Sequence, residues 1–258
     1  MIDVAFTPAA MRRCDVAVVV DVLRATSTVT QALAAGYRCV LCAESLDRAR
    51  TLRSPARALA GEQDCITPAD FDLGNSPVEA TRRSAAQLVL ASTNGAPTIV
   101  AAARNASTVL VGSLLNLEAL LSALEAREAD MSPEVQLICA GSAGAVALED
   151  AYVAGRISAR LTGKRSDAAR VAEIVAASFE TSLEALSASA HAAALVNAGF
   201  ADDVAYCARE SELGVVPGVA GTSAGVAMVV DVRNTVGDMI DADAVVTSSA
   251  PAETASSA

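Results

Sequence analysis

The chain has 258 residues, of which 53% are hydrophobic and 19% charged. Its mean hydropathy is +0.41. At about 150 residues per domain this is one large domain or two lobes, with enough apolar surface to offset ordering entropy, which excludes an intrinsically disordered chain. Nineteen Lys and Arg against thirty Asp and Glu leave a net charge of −11, which repels nucleic-acid phosphates and anionic lipid. Aromatic residues are 3% with no Trp, so neither a base-stacking platform nor an interfacial belt is present. The expected partner is a small anionic molecule, with no nucleic acid and no membrane.

Taken in chain order, the first clear element is a β-branched run from Val16 to Val20, ended by Asp21. A helix follows from Ala25 to Ala35, closed by Gly36. The β-then-α pattern repeats. Cys39 to Cys42 precedes the helical Leu46 to Leu52, Leu88 to Ala91 precedes Thr98 to Ala103, and Thr108 to Val111 precedes Leu117 to Ala126. A fifth strand, Val135 to Cys139, leads into a helical pattern from Ala145 to Leu161. Continuous apolar strands alternating with helices predict an α/β fold: a three-layer α/β/α sandwich on a mainly parallel sheet, with a helical C-terminal half.

From Asp167 to Tyr206 the chain is Ala-rich and helical. Leu213 to Val230 is free of charge, but Pro217 and four glycines make it a poor membrane helix and a better loop and strand. Residues 1–232 are read as one domain, with a break near 130–165 left open in case there are two lobes. Residues 233–258 form an extension whose Ser/Ala/Thr/Pro-rich end is expected to be disordered. The six cysteines, Cys14, Cys39, Cys42, Cys65, Cys139 and Cys207, lack the dense spacing of a secreted scaffold and read as reduced thiols. The N-terminus carries no signal-peptide pattern, so a cytoplasmic location is expected.

In an open α/β sheet, ligands bind beyond the carboxyl ends of the strands, and three such loops are polar. They are Asp21-Val22-Leu23-Arg24-Ala25-Thr26-Ser27-Thr28, then Ser92-Thr93-Asn94-Gly95, then Ala140 to Gly144 followed by Glu149-Asp150. Hydroxyls and free N–H groups at a helix start suit phosphate oxygens, Arg24 pairs with them, and carboxylates hold Mg²⁺. Each piece has a plainer reading. Thr26, Ser27 and Thr28 also suit an ordinary N-cap, and Arg24 a surface ion pair.

One histidine, His191, rules out two-histidine metal sites built from one chain. In an Ala-rich helix it reads first as structural, with a general-acid role open. No nucleophile elbow, full dinucleotide fingerprint or Walker lysine is found. Cys39 and Cys42 fall in a strand and read as buried thiols.

Five elements in this order resemble the ComB family of 2-phosphosulfolactate phosphatases. They are Val20 to Thr28; Gly61-Glu62; Phe71-Asp72-Leu73-Gly74-Asn75-Ser76-Pro77 with Glu79; Ser92 to Gly95; and Glu149-Asp150 with Ala154-Gly155. The likeness runs from about Asp15 to Pro217. It departs from the family pattern at Gln63, Ala96, Pro97, Ala151 and Ala192, two of these being places where the family carries arginine.

The resemblance implies a Mg²⁺-dependent phosphoric monoester hydrolase that converts (2R)-2-phospho-3-sulfolactate to sulfolactate and phosphate, a step of coenzyme M biosynthesis. On that basis Asp21, Arg24 and Asn94 are expected to be catalytic. Thr26, Ser27, Thr28, Asn75, Thr93 and Gly95 are expected to hold substrate or phosphate, and Asp21, Glu149 and Asp150 to hold Mg²⁺. The attacking group is water or Asp21. Leu23 stands where haloacid-dehalogenase-type phosphatases have a second aspartate, which favours water. Hydrolysis of another phosphorylated hydroxy acid, or non-catalytic anion binding, is the alternative, and a homo-oligomer is left open.

Overall fold

The computed structural model describes residues 1–131 and 133–234. The elements in chain order are β1 (Ile2–Ala5), β2 (Cys14–Val20), α1 (Ala25–Ala34), β3 (Val40–Ala43), α2 (Leu46–Thr51) and β4 (Arg57–Gly61). Then come β5 (Gln87–Ala91), α3 (Gly95–Ala102), β6 (Ala106–Gly112), α4 (Leu117–Met131), β7 (Val135–Cys139) and α5 (Leu148–Ser158). The chain continues through α6 (Asp167–Ala177), α7 (Ser182–Ser187), α8 (Ala190–Asn197) and α9 (Ala201–Cys207) to β8 (Pro217–Ser223) and β9 (Val226–Asp231).

Among the described residues, nine strands form one sheet in the order β1-β7-β2-β6-β8-β9-β3-β5-β4. β1, β7, β2 and β6 pair in parallel, as do β3, β5 and β4. The β8–β9 hairpin lies between the two groups, antiparallel to β6 on one side and to β3 on the other. This is the mainly parallel α/β/α architecture that the repeating apolar runs predict. β7 and α5 fall within the stretch where a lobe boundary was left open, and β7 pairs with both β1 and β2.

Side-chain alternation explains the layers. In β2, Val16, Val18 and Val20 enter one core with Leu120, Leu124 and Ile157, whereas Ala17 and Val19 enter another with Val29, Ala32 and Ile99. A third cluster lies under α2, where Leu41 and Ala43 meet Ala49 and Leu52. Both faces of the central strands are therefore covered, which is why they read as unbroken apolar runs.

Local chemistry sets the details. β1 and β4 escape the pattern reading because they are short edge strands, one interrupted by Asp3 and the other written Arg-Ala-Leu-Ala-Gly. α3 begins at Gly95, not Thr98. Pro97 falls in the first turn, where its missing N–H would lack an intrahelical partner in any case. α5 begins at Leu148, because Ser142 and Ala145 close a tight turn by reciprocal backbone bonds of 3.0 and 2.9 Å.

The Ala-rich region is divided by hydroxyl caps. Ser166, Thr181 and Ser189 accept from the N–H of Ala169, Glu184 and Ala192 at 3.0 to 3.1 Å. α5 and α6 pack closely at Gly155, where a Cβ would overlap the Ala172 carbonyl oxygen and lie 2.8 Å from Ala176 Cβ. The Leu213 to Val230 stretch is a loop leading into β8 and β9, and among the described residues no helix is long and apolar enough to cross a membrane. All six cysteines are free thiols. Burial pushes Cys39 up to about 11 and Cys42 up to about 12. Of the C-terminal extension, residues 235–258 lie outside the described set.

Candidate active site

A cavity of about 280 Å³ opens where the segments after β2, β4, β5 and β7 meet α8. Asp21, Arg24, Glu62, Asp64, Asn75, Thr93, Asn94, Ser142 and His191 supply its polar wall. Of the residues expected from the sequence, it brings together Asp21, Arg24, Asn75, Thr93 and Asn94.

Asp21 ends β2 and is 7% exposed. One carboxylate oxygen accepts from the Ala25 N–H at 3.4 Å. The other lies against Gly95, where a Cβ would overlap Asp21 Oδ2 and stand 2.5 Å from Ala25 Cβ. Gly95 thus admits the start of α3 beside the carboxylate, a steric role distinct from holding phosphate.

The hydroxyls at the start of α1, expected from the resemblance to hold phosphate, are buried. Thr26 Oγ1 accepts from the Asp21 N–H at 3.2 Å and Ser27 Oγ donates to the Val22 carbonyl at 2.8 Å. Thr26, Ser27 and Thr28 are fully buried, and none lines the cavity. The turn after β2 uses Thr26 and Ser27 to satisfy its own backbone, the competition with solvent and ligand that short hydroxyl residues commonly enter, while the Thr28 hydroxyl is buried without a partner among the described residues.

Asp150, expected from the resemblance to hold Mg²⁺, is also engaged by backbone groups. Its Oδ1 accepts from the Val22 N–H at 3.0 Å and its Oδ2 from the Gly141 N–H at 3.1 Å, so it clasps the segment after β2 to the loop after β7. Glu149 and Asp150 lie in the first turn of α5, 3% and 2% exposed, behind the cavity wall and not on it. They still act on it electrically. Burial first, then the negative charge of Glu62 and Glu149, pushes Asp21 up to about 7, against the Ala25 N–H and the Arg24 guanidinium. Burial also raises Glu149, against the nearby His191 imidazole and a Ser189 hydrogen bond. Asp150 is raised well above the usual range by burial and by the charges of Asp21 and Glu149.

Glu62 braces the opposite rim. It accepts from the Thr93 N–H at 2.8 Å and from the Cys65 N–H at 3.0 Å. Asn75, 3% exposed, leaves its Oδ1 without a partner among the described residues. That is the mark of a side chain awaiting a ligand or water donor. Asn94 is half-buried; its carbonyl, not its amide, anchors α3 by accepting from Thr98 N and Oγ1 at 3.2 and 2.7 Å.

Glu62, Asp64 and Ser142 line the cavity with no role assigned from the sequence, and His191, which reads from the sequence first as structural with a general-acid role open, lines it too. Glu62 follows a strand that pattern reading misses, and Asp64 sits on a turn with φ +52°. His191 lies on α8, whose composition signals only a helix.

Among the described residues, no three His, Cys, Asp or Glu are gathered into a closed metal site. Mg²⁺ does not require one, since it commonly takes one or two carboxylates and completes its shell with water and substrate phosphate. Asp21, a carboxylate at the cavity with two more buried behind it, is an all-oxygen, electron-rich setting that fits such a cation. An anionic substrate would otherwise meet a wall of like charge.

A profile of the 2-phosphosulpholactate phosphatase family matches residues 5–222. The chain is 40% identical over 213 residues to the "Probable 2-phosphosulfolactate phosphatase" of Thermus thermophilus, covering 80% of this chain and 89% of that protein. It is 37% identical over 223 residues to the protein of the same name from Thermotoga petrophila, covering 84% and 94%. The "2-phosphosulfolactate phosphatase" of Methanothermobacter thermautotrophicus is 34% identical over 200 residues, covering 78% and 84%. With its cavity at the carboxyl ends of β2 and β5 and a family match running from β1 into β8, the chain belongs to the 2-phosphosulpholactate phosphatase family.

Proposed function

We propose that this protein is a Mg²⁺-dependent phosphatase that hydrolyses 2-phosphosulfolactate to sulfolactate and phosphate. The observation that carries the reading is the pairing of Asp21 and Arg24 on one cavity wall, in a chain whose relatives bear that activity in their names. Phosphate monoesters are among the slowest bonds to break in water, and their catalysis is mostly positioning and neutralisation of charge.

Arg24 supplies the fixed positive charge. Arg24 lines the cavity, and among the described residues its guanidinium's single hydrogen bond to protein goes to Asp203 at 2.6 Å. The remaining donors are left for phosphoryl oxygens. Asn75 and Asn94 offer neutral amides to the rest of the substrate, and Glu62 holds Thr93 in place at the rim. His191 is the side chain we assign to returning a proton to the leaving oxygen as the P–O bond breaks.

Asp21 is the carboxylate we assign to Mg²⁺, with Glu149 and Asp150 lending negative potential from behind. Bound there, the cation supplies Lewis-acid neutralisation of the phosphoryl charge. The test is phosphate release from a panel of small phosphorylated hydroxy acids by the metal-free protein, before and after Mg²⁺ is added. Activity on 2-phosphosulfolactate that a chelator removes and Mg²⁺ restores is the expected result. Turnover of a different ester would correct the substrate, and phosphate binding without turnover of any ester would leave a non-catalytic anion-binding protein.

A further inference from the structure

Arg24 is 3% exposed, and its own loop does not hold its guanidinium. The partners come from α9 and the segment just before it. Asp203 Oδ2 accepts from Arg24 Nη1 at 2.6 Å, 179 residues away in the chain, and the Phe200 ring lies 4.2 Å from the guanidinium carbon. The carboxylate is itself held, since its Oδ1 accepts from Ser76 Oγ at 2.7 Å. Ser76 Oγ in turn accepts from the Glu79 N–H at 3.1 Å. Asp203 and Ser76 are 2% and 3% exposed, so the ring and carboxylate hold the guanidinium and the hydroxyl holds the carboxylate, and none of the three lines the cavity.

Such an arrangement is poorly explained by stability. A buried ion pair seldom improves on apolar residues of the same volume, because desolvation offsets the attraction. What it does confer is a defined direction for a planar guanidinium, whose donors meet an anion productively only at the right angle. The neighbouring Asn75 adds an unpartnered amide oxygen to the same wall.

We infer that Asp203 is a positioning residue: through it, with Ser76 and Phe200, the C-terminal helices aim the free donors of Arg24 at the phosphate of the substrate. This rests on the phosphatase reading for the identity of the ester, and on the cavity geometry alone for the anion. The segment carrying Asn75 and Ser76 and the remote helix α9 are thereby coupled to substrate binding through one carboxylate.

The experiment uses the full chain with Mg²⁺ and measures kcat and KM for 2-phosphosulfolactate and Kd for inorganic phosphate. The isosteric Asp203→Asn keeps an acceptor for Ser76 but removes the charge that orients Arg24. We expect KM and the phosphate Kd to rise about tenfold or more, the scale of one charge-assisted bond, while kcat per folded molecule changes less than threefold. Ser76→Ala, which leaves the charge in place, shifts both in the same direction by a smaller factor. In an Arg24→Ala background, neither substitution moves the phosphate Kd further.

The inference is overturned if Asp203→Asn leaves KM and Kd within twofold of the parent, or shifts Kd equally without Arg24. Should Asp203→Asn not fold, Ser76→Ala decides the matter by the same criteria. Should the unaltered protein turn over no 2-phosphosulfolactate, the substrate reading fails by itself, and the phosphate Kd of the variants judges the positioning role. Absence of phosphate binding by the unaltered protein would overturn that role too.

Discussion

Gly95→Ala separates chemistry from stability at one atom. The added Cβ would overlap Asp21 Oδ2 and lie 2.5 Å from Ala25 Cβ, with Asp21 Cγ at 2.9 Å. Ordinary carbon contacts begin near about 3.5 Å, so Asp21 and the start of α3 must part by about 1 Å. The stability terms partly cancel. Overpacking costs about 1–3 kcal/mol, and alanine recovers up to about 1 kcal/mol over glycine in a helix, leaving a net loss of about 0–3 kcal/mol. The site has no such compensation, because a displacement of about 1 Å in a reacting group can lower the rate about 10²-fold.

The assay is phosphate release with Mg²⁺, giving kcat/KM, beside urea unfolding of the same preparations. We expect a loss of about two orders of magnitude in kcat/KM in a protein that unfolds close to its parent. Activity within threefold of the parent would refute the placement of Asp21 beside Gly95 as the reacting corner.

Asp21→Asn should lower kcat/KM at least about a thousandfold, on the scale of losing a principal charge-stabilising group. At pH 8 without metal it should unfold no earlier than its parent, since it removes a buried negative charge facing Glu62 and Glu149. Asp150→Ala leaves the Val22 and Gly141 N–H groups buried without their acceptor, at about 1–3 kcal/mol each. Urea unfolding should show that loss, and activity should fall with it as the two loops separate.

Gly155→Ala should destabilise the fold more than Gly95→Ala, because the obstructing atom is the backbone oxygen of Ala172, which cannot rotate aside; thermal unfolding of the two variants compares them. Glu210 is held below the usual carboxylate range chiefly by its Arg156 hydrogen bond. Its contribution is therefore present above the unfolded pKa and lost as pH falls through the lowered folded one. Being half-exposed, it should make Glu210→Gln less stable by under about 1 kcal/mol at pH 7, a difference that urea titrations should find vanishing in acid.

The polar loops after the strands meet at one corner of the molecule, yet the corner is built differently from what residue types suggest. The Thr26-Ser27-Thr28 run looks like a phosphate cradle, and in the folded chain two of its hydroxyls hold the backbone of the turn itself. Hydroxyl residues carry the same signature whether they cap a backbone or meet a ligand, so spacing does not separate the two. Asp150 looks like a metal ligand because it is acidic and follows a strand; its two oxygens instead tie two loops together. Glu62 has no assigned role and His191 reads first as structural for the opposite reason, since a half-buried Glu after an edge strand and a His in an Ala-rich helix carry no local signal of a shared cavity.

Apolar periodicity determined the alternation of strands and helices, the burial of both sheet faces and the position of Asp21 at the end of β2, because each is a property of a few neighbouring residues. Strand order, the insertion of the β8–β9 hairpin between two parallel groups, and the union of Arg24 with Asp203 were decided only in the folded molecule. Those contacts join distant segments, Val40 to Val229 across β3 and β9 and Arg24 to Asp203 179 residues along the chain, and such pairings depend on how whole layers pack, for which no short stretch of chain holds the pattern.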